Sequence, residues 1–449
     1  MSASSVNVYD PLVNPLPHHL ALPDSYWAST QALPQPLPPL LGSHRAEIAV
    51  VGGGFSGLLT AYYLASHYGR EVVLLEANRI GFGASARNGG FVLKGSGRLS
   101  YAQMAKRWDL DTAHGIYREF SEAVSRVEEL ISSGNIDCEP QEKGYIKVAH
   151  NPAAMETLKA GAEFIRKYFG GDAEFLSAAE LRSQLLDHHQ AFGALRLPDG
   201  FGLNPLKLLL GYRKLALDAG VRIYENSCVI SQRREQGRYL LTTDGGELSA
   251  AQLVMSGNAY TPKHFSPLLD KRFLPILSNV IVTEPLTEDE RLAAGMHSRQ
   301  VTMDTRILKY YYRLLPDNRL LFGGRGAVWG KDEHRPEYPA RLKQALNSAF
   351  PALTSKQVDY RWSGWIAASM DDMPHVYSQD GCGYTMGYCG AGVSFSAQAA
   401  WRLAGMLSGV AAPALPLYQS PLPTFPFAAA RRLGQWGYYH YGRLRDAIG

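Results

Sequence analysis

Glu47-Ile-Ala-Val-Val-Gly-Gly-Gly-Phe-Ser-Gly57 is the stretch whose reading decides the fold. Its first five residues make a short apolar, β-branched run of the kind found in a parallel strand buried on both faces. Leu58 to His67 follows as a mostly apolar helix, and Arg70 to Glu76 as a second strand ending on a carboxylate. Glycine supplies 44 of the 449 residues, so G-x-G-x-x-G alone carries little weight. Its place between strand and helix, with Glu76 19 residues beyond Gly57, makes it informative. Gly52 permits the tight turn, Gly54 lets a pyrophosphate approach the backbone, and Gly57 lets helix and strand pack closely. The helix N-terminus turns free N–H groups and positive potential toward the phosphates. A carboxylate at Glu76 accepts hydrogen bonds from ribose hydroxyls and repels a 2′-phosphate, which disfavours NADP. The unit predicts an adenine-dinucleotide site; the motif alone does not choose between FAD and NAD.

The composition surrounding this unit excludes several classes. With 46% hydrophobic residues over 449 positions, the chain can fill a core of two or three folding units. Lys plus Arg number 45 against 41 Asp plus Glu, without long like-charge runs, so a nucleic-acid partner is not indicated. Cys138, Cys228, Cys382 and Cys389 form no C-x-x-C pair, which argues against a disulfide framework and structural zinc. The adjoining histidines His18/His19 and His188/His189 have no acidic partners at ligand spacing, so no metal is expected. No apolar stretch approaches the roughly 20 residues of a membrane span. The Pro-interrupted N-terminus has neither the basic cluster nor the apolar run of a secretory signal. The expectation is a cytoplasmic protein whose oligomeric state is open.

Residues 1–45 read as a Pro-rich extension lying over a finished domain, with Asp24-Ser-Tyr-Trp27 as an island that can dock. Helices are predicted at 112–132, 155–168 and 206–219, and strands at 144–149, 221–224, 239–243, 253–256, 275–283, 307–315 and 319–323. A last strand, 384–387, runs into a second Gly-rich turn, Gly387-Tyr-Cys-Gly-Ala-Gly392, and then a helix, 394–407. That helix N-terminus suits the electron-rich edge of a second group. Gly81-Phe-Gly-Ala-Ser-Ala-Arg-Asn-Gly-Gly90 adds small residues that let the chain run close against a flat ligand. One Gly turn for a pyrophosphate and another for a ring fits a flavin spanning both.

These segments together resemble the FAD-dependent oxidoreductases of the D-amino-acid oxidase, glycine oxidase and sarcosine oxidase group, and within it the γ-glutamylputrescine oxidase branch. The matching stretches are Asp24–Trp27, Val50–Gly57, Gly83–Gly90, Gly257-Asn-Ala-Tyr260, Tyr312-Arg313 before Arg319–Arg325, and Gly387–Val393. The resemblance implies a Rossmann-like FAD domain interwoven with an α+β substrate domain built on a mostly antiparallel sheet. By position it assigns 46–100, 198–260 and 350–412 to the first, and 101–197 and 261–349 to the second. The stretch 413–449 is left as a tail, basic and aromatic, packed locally. It further implies that Gly52, Gly54, Phe55, Ser56 and Gly57 hold the pyrophosphate and that Glu76, with Ala77, meets the adenosine ribose. Ser85, Arg87, Asn88 and Gly89 would line the path to the ring, Val229 would meet adenine through its backbone, and Gly257 would flank the cofactor. Gly390, Gly392 and Val393 would sit at the pyrimidine edge.

Two departures stand out. The stretch Trp362–Asp371, where sarcosine oxidases carry the flavin-binding cysteine, has none, so FAD is expected to bind non-covalently. Asn204 replaces the histidine that many relatives have before Pro205.

Flavin oxidation of a C–N bond asks the protein mainly for positioning. Arg313 is the candidate carboxylate clamp, because a guanidinium binds a carboxylate bidentately. Alternation puts Lys309, Tyr311 and Arg313 on one side of their strand and Tyr310 and Tyr312 on the other, without saying which faces the flavin. Tyr311, Trp362, Trp365 and Tyr388 are candidate pocket walls, and Lys309 a candidate base. The expected substrate is a small amine or amino acid, a γ-glutamylputrescine-like conjugate foremost, with oxygen or another acceptor taking the electrons. A cyclic, N-methyl or D-amino acid is the alternative substrate class, and a flavin-binding protein without turnover the alternative from outside enzymes.

Overall fold

The computed structural model describes residues 8–448, so the first seven positions of the Pro-rich extension lie outside the described residues. The Glu47–Gly57 stretch opens an eight-stranded sheet. Its strands lie in the spatial order His375–Gln379, Cys382–Met386, Gly246–Met255, Gly42–Val51, Val72–Leu75, Arg222–Tyr224, with the hairpin Ser231–Glu235/Arg238–Thr242 attached at Gly246–Met255. Gly42–Val51 pairs in parallel with both neighbours, placing Ile48 opposite Val72 and Val50 opposite Val254. Ile48, Ala49 and Val50 are wholly buried because the sheet is covered on both faces. The helices Phe55–Ser66 and Gly392–Leu407 pack against each other over one face, with Leu110–Ser133 behind them.

A second, nine-stranded sheet forms the rest. Its order is Val358–Ala368, Leu274–Thr283, Leu320–Arg325, Tyr311–Leu314, Val301–Asp304, Lys143–Val148, Gly193–Gly202, Phe91–Val92, with Glu174–Ser177 added at Gly193–Gly202. Every pairing is antiparallel except that of Val301–Asp304 with Lys143–Val148. One face sends Ile146, Val148, Ile281, Tyr312, Leu314 and Phe322 into a core shared with the helix Glu337–Ala349. The opposite face sends Val280, Val282, Leu321 and Trp362 toward the core beneath the Phe55 helix. The alternation left open by the sequence is thereby resolved: Tyr311 lies on the dinucleotide side and Tyr312 away from it.

Two expectations need correction. The strand expected over 307–315 spans only Tyr311–Leu314. Before it the chain turns, because Asp446 accepts the Ile307 and Leu308 N–H groups at 2.8 and 3.0 Å and Asp304 that of Tyr310 at 2.9 Å. The strand Val358–Ala368, expected in the FAD domain, hydrogen-bonds along Leu274–Thr283, so the second sheet runs to residue 368 rather than ending at 349. The C-terminal stretch, expected as a locally packed tail, holds an 18-residue helix, Arg431–Ile448. At the other end, Trp27 is buried and donates its indole N–H to the Asn88 carbonyl at 2.8 Å, fixing the extension onto the Gly-rich loop.

Candidate active site

A cleft runs along the C-terminal edge of the first sheet, where open α/β sheets bind their ligands. Gly52–Ser56, Glu76, Ala77, Ser85, Asn88, Val229, Gly257, Gly390, Gly392 and Val393 line one continuous cavity. Its floor has no room for side chains. Gly52 has φ +107°, and a Cβ there would lie 2.9 Å from the Ser256 backbone. A Cβ on Gly54 would lie 2.9 Å from Ser85 Oγ, and one on Gly57 would overlap the Gly52 carbonyl oxygen. Two helix N-termini open into this cavity, Gly54 and Ala391 being N-caps whose own side chains make no capping bond. The Phe55 N–H at the first is taken by Ser85 Oγ at 2.9 Å, and the remaining N–H groups with their positive potential are what a pyrophosphate and an electron-rich ring edge require.

The two ends are coupled. Ser56 Oγ hydrogen-bonds Tyr388 Oη at 2.6 Å, and Tyr388 Oη reaches Thr385 Oγ1 at 2.5 Å. The first Gly turn is thus tied to the second through one buried phenol. Glu76 accepts the Gly53 N–H at 2.7 Å and the Asn78 N–H at 3.0 Å, and burial raises its carboxyl above the usual range. Among the described residues the Val229 N–H has no protein acceptor, leaving a buried donor for an adenine edge. The residues therefore fit FAD: a cradle without Cβ atoms for the phosphates, a carboxylate for the ribose, a free backbone donor for the base and a second helix N-terminus for the ring.

Two of the residues expected along the path to the ring hold the chain instead of facing the cavity with their side chains. Arg87 donates to the carbonyls of Phe82 at 2.6 Å and Ser363 at 3.2 Å, with its guanidinium 4.7 Å over the Phe82 ring, so it lines a separate cavity behind the loop. Its assignment to the cofactor path is corrected, because its donors are spent on backbone oxygens. The Asn88 amide donates to Ala84 and Ser85 carbonyls and accepts the Gly90 N–H at 2.8 Å, shaping the turn. Gly89 leaves room for the Phe91 and Tyr311 rings. Asn204 accepts the Leu206 and Lys207 N–H groups at 3.2 Å, a helix cap rather than a catalytic group.

Beyond Gly390 lies a second cavity of about 650 Å³, sharing Ile366 with the first. Its walls come from the second sheet (Leu274, Ile276, Arg325, Ala368) and from Arg98, Asp372 and Cys389. Its roof is the C-terminal segment, with Phe425, Phe427, Arg431, Gln435, Tyr438 and Tyr439. Arg98 is paired with Asp372 at 3.1 Å and donates to Tyr438 Oη at 3.1 Å. Arg325 lines the cavity, and among the described residues no hydrogen bond or ion pair engages its guanidinium. Lys309 donates to the Gly97 carbonyl at 2.7 Å, and burial, reinforced by Lys147, Arg98 and Arg325, pulls its ammonium down to about 7. The chamber is a cationic one, Arg98, Arg325 and Arg431 lining it against Asp372 alone.

Arg313 and Trp365 do not belong to it. Arg313 is buried, donating from Nε to the Gly89 carbonyl at 3.0 Å, from Nη2 to the Leu203 carbonyl at 2.6 Å, and from Nη1 to Gln141 Oε1. Its guanidinium is stacked near Trp27 and Phe91, so it clamps the Gly89–Gly90 loop and has no free edge for a substrate carboxylate. Trp365 points to the opposite face of its sheet, giving its indole N–H to the Tyr9 carbonyl at 2.8 Å and its ring to Arg432. Tyr311 packs toward the core beneath the Phe55 helix and lines neither cavity, its hydroxyl 2.9 Å from Ser278 Oγ. The residues missed by sequence reading are Arg98, Arg325 and the roof. Arg325 had a readable signal only through pairing: Tyr311 opposes Gly323, which sets Arg325 on the same face two residues on. His18 and His19 converge with Asp244, their ligand atoms within 4.8 Å of one another, at partly exposed positions. No helix among the described residues is long and apolar enough to cross a membrane.

Fold and cleft define a flavoenzyme with an adenine-dinucleotide domain and a separate substrate sheet. Comparison with known proteins makes the class specific. The family model described as FAD dependent oxidoreductase matches residues 47–406, and the chain belongs to that family. It is 34% identical to the γ-glutamylputrescine oxidoreductase of Escherichia coli (strain K12) over 435 residues, covering 95% of this chain and 98% of that protein. It is 30% identical to a probable oxidoreductase of Haemophilus influenzae, covering 86% of this chain and 88% of that one. In fold it is similar to glycine oxidase from Geobacillus kaustophilus, with a TM-score of 0.68 at 19% identity over 82% of this chain and 96% of that one. Iminodiacetate oxidase from Chelativorans sp. BNC1 gives a TM-score of 0.68 at 20% identity over 85% and 100%. The protein is an FAD-dependent oxidoreductase.

Proposed function

We propose that the chain oxidises the C–N bond of an amine that also carries a carboxylate, a γ-glutamylputrescine-like conjugate foremost, to an imine that water then hydrolyses. The observation that carries this reading is Arg325, a guanidinium facing the chamber beyond the ring site with no acid or carbonyl engaging it among the described residues. Bound FAD supplies the hydride acceptor. The chain's part is to orient: Arg325 holds the carboxylate, Arg98 and Lys309 add positive potential, and Ile366, shared by both cavities, borders the reacting end. A free diamine meets repulsion here, whereas a carboxylate on the same molecule is attracted. The chamber, at about 650 Å³, is in the range of pockets for extended ligands and large for glycine or sarcosine. FAD is held non-covalently: Cys389, the thiol nearest the ring site, is buried 3.2 Å from the Gly387 carbonyl, and burial keeps it protonated. Oxygen takes the electrons and leaves as hydrogen peroxide.

The test is peroxide formation by the holoenzyme with γ-glutamylputrescine and with putrescine. The reading predicts turnover of the first and at least tenfold weaker kcat/KM for the second. Arg325→Gln should raise KM for the conjugate about 10- to 100-fold, the loss of a charge-assisted bidentate contact. Equal use of both amines, or an unchanged KM in the variant, overturns it.

A further inference from the structure

The helix Arg431–Ile448 has a second face, most of which lies outside the cationic chamber. Its inner face is fixed: Arg432, Gln435, Tyr439 and Gly442 are buried, Arg432 pairs with Asp10 at 2.9 Å, and Asp446 is turned in to the Ile307 and Leu308 N–H groups. The outer face carries Leu433, Trp436, Tyr441, Leu444 and Ile448, each between 49% and 75% exposed, and Phe427 just before the helix is 88% exposed; Leu433 and Phe427 also border the chamber at its rim. At 3.6 residues per turn these five fall within an arc of about 140°, opposite the buried stripe. Single exposed apolar residues are ordinary on a protein surface, but a stripe of five along about 24 Å of helix, broken by His440 alone, is not.

Charge decides what can cover it. Arg443 and Arg445 are exposed and flank the stripe on its two sides. Asp446, the sole acid of Arg431–Ile448, faces inward, so among the described residues of the helix the outer face carries no acid. A second copy docking through this stripe would bring arginines against arginines without an acid to meet them. We propose that this face docks on an anionic membrane surface, with Trp436, Leu444 and Ile448 entering the headgroup boundary and Arg443 and Arg445 meeting lipid phosphates. The helix lies on the bilayer and does not cross it, and the chamber roof faces the membrane.

Holoenzyme should co-float with vesicles of phosphatidylcholine containing about one-third phosphatidylglycerol and not with phosphatidylcholine alone, the difference vanishing at high salt. Trp436→Glu combined with Leu444→Glu and Ile448→Glu should abolish flotation while visible flavin absorbance and thermal midpoint stay as in the parent. Arg443→Gln with Arg445→Gln should weaken partition roughly 10- to 25-fold, about fivefold per charge. A blue shift of tryptophan emission on adding the anionic vesicles, absent in Trp436→Phe, reads the insertion directly without a disruptive variant. No flotation and no blue shift with anionic vesicles overturns the proposal. So does a holoenzyme dimer in light scattering that the triple variant converts to monomer without any vesicle binding, which would make the stripe a self-interface.

Discussion

Arg313→Met separates a structural arginine from a substrate-binding one. The guanidinium is 2% exposed and makes three hydrogen bonds, to the Gly89 carbonyl at 3.0 Å, the Leu203 carbonyl at 2.6 Å and Gln141 Oε1. Bonds to a charged donor contribute about 1.5–3 kcal/mol each, roughly 5–9 kcal/mol gross. Against this stands the cost of taking the cation out of water, several kcal/mol, which burial without a bonded acid leaves largely uncompensated. That same cost pulls the guanidinium down to about 9. The variant recovers it but strands three acceptors, so the net loss should be about 2–4 kcal/mol. The assay is urea unfolding of FAD-saturated protein, read by flavin fluorescence, beside steady-state kinetics with a carboxylate-bearing amine. The expected result is a midpoint lowered by that amount and a KM changed less than about threefold. A stability change below about 1 kcal/mol with a KM raised 100-fold would refute the reasoning and return Arg313 to the substrate.

Gly57→Ala should give protein without yellow colour, since the new Cβ would overlap the Gly52 carbonyl oxygen in a cradle bounded by backbone; full FAD occupancy would contradict the cradle. Lys309→Met tests the buried ammonium. With its folded value near 7, below the unfolded value near 10.5, Lys309 binds its proton more readily in the unfolded chain, so it destabilises the fold increasingly as pH falls from about 10 to about 7. The variant should therefore gain on the parent through that window, by up to about 1.4 kcal/mol per pH unit, in paired unfolding series; parallel series would place Lys309 in solvent.

Much of this architecture was legible because local signals agreed with the global arrangement. The apolar run at Glu47–Val51, the glycines whose missing Cβ atoms make the cradle, and the carboxylate at Glu76 each have one physical reading, and the two Gly turns lie where their strands end. The substrate side was less legible because it depends on pairing register. Whether Arg313 or Arg325 reaches the chamber is fixed by Tyr311 standing opposite Gly323, and nothing local distinguishes an arginine clamping two carbonyls from one facing a cavity. Trp365 illustrates the same limit, its face set by a sheet edge that residue type does not announce. The roof helix is not announced locally, because Gly434, Gly437 and Gly442 lower intrinsic helix propensity. It holds through tertiary contacts, with Gly442 packed close to Ile307 and Leu308.

The most direct test of the account is anaerobic reduction of the purified holoenzyme. Its visible flavin band should bleach on adding γ-glutamylputrescine, remain with putrescine at the same concentration, and return when oxygen is admitted. A band that bleaches equally with putrescine, or that γ-glutamylputrescine leaves untouched, would contradict a chamber built to hold a carboxylate beside the reacting amine.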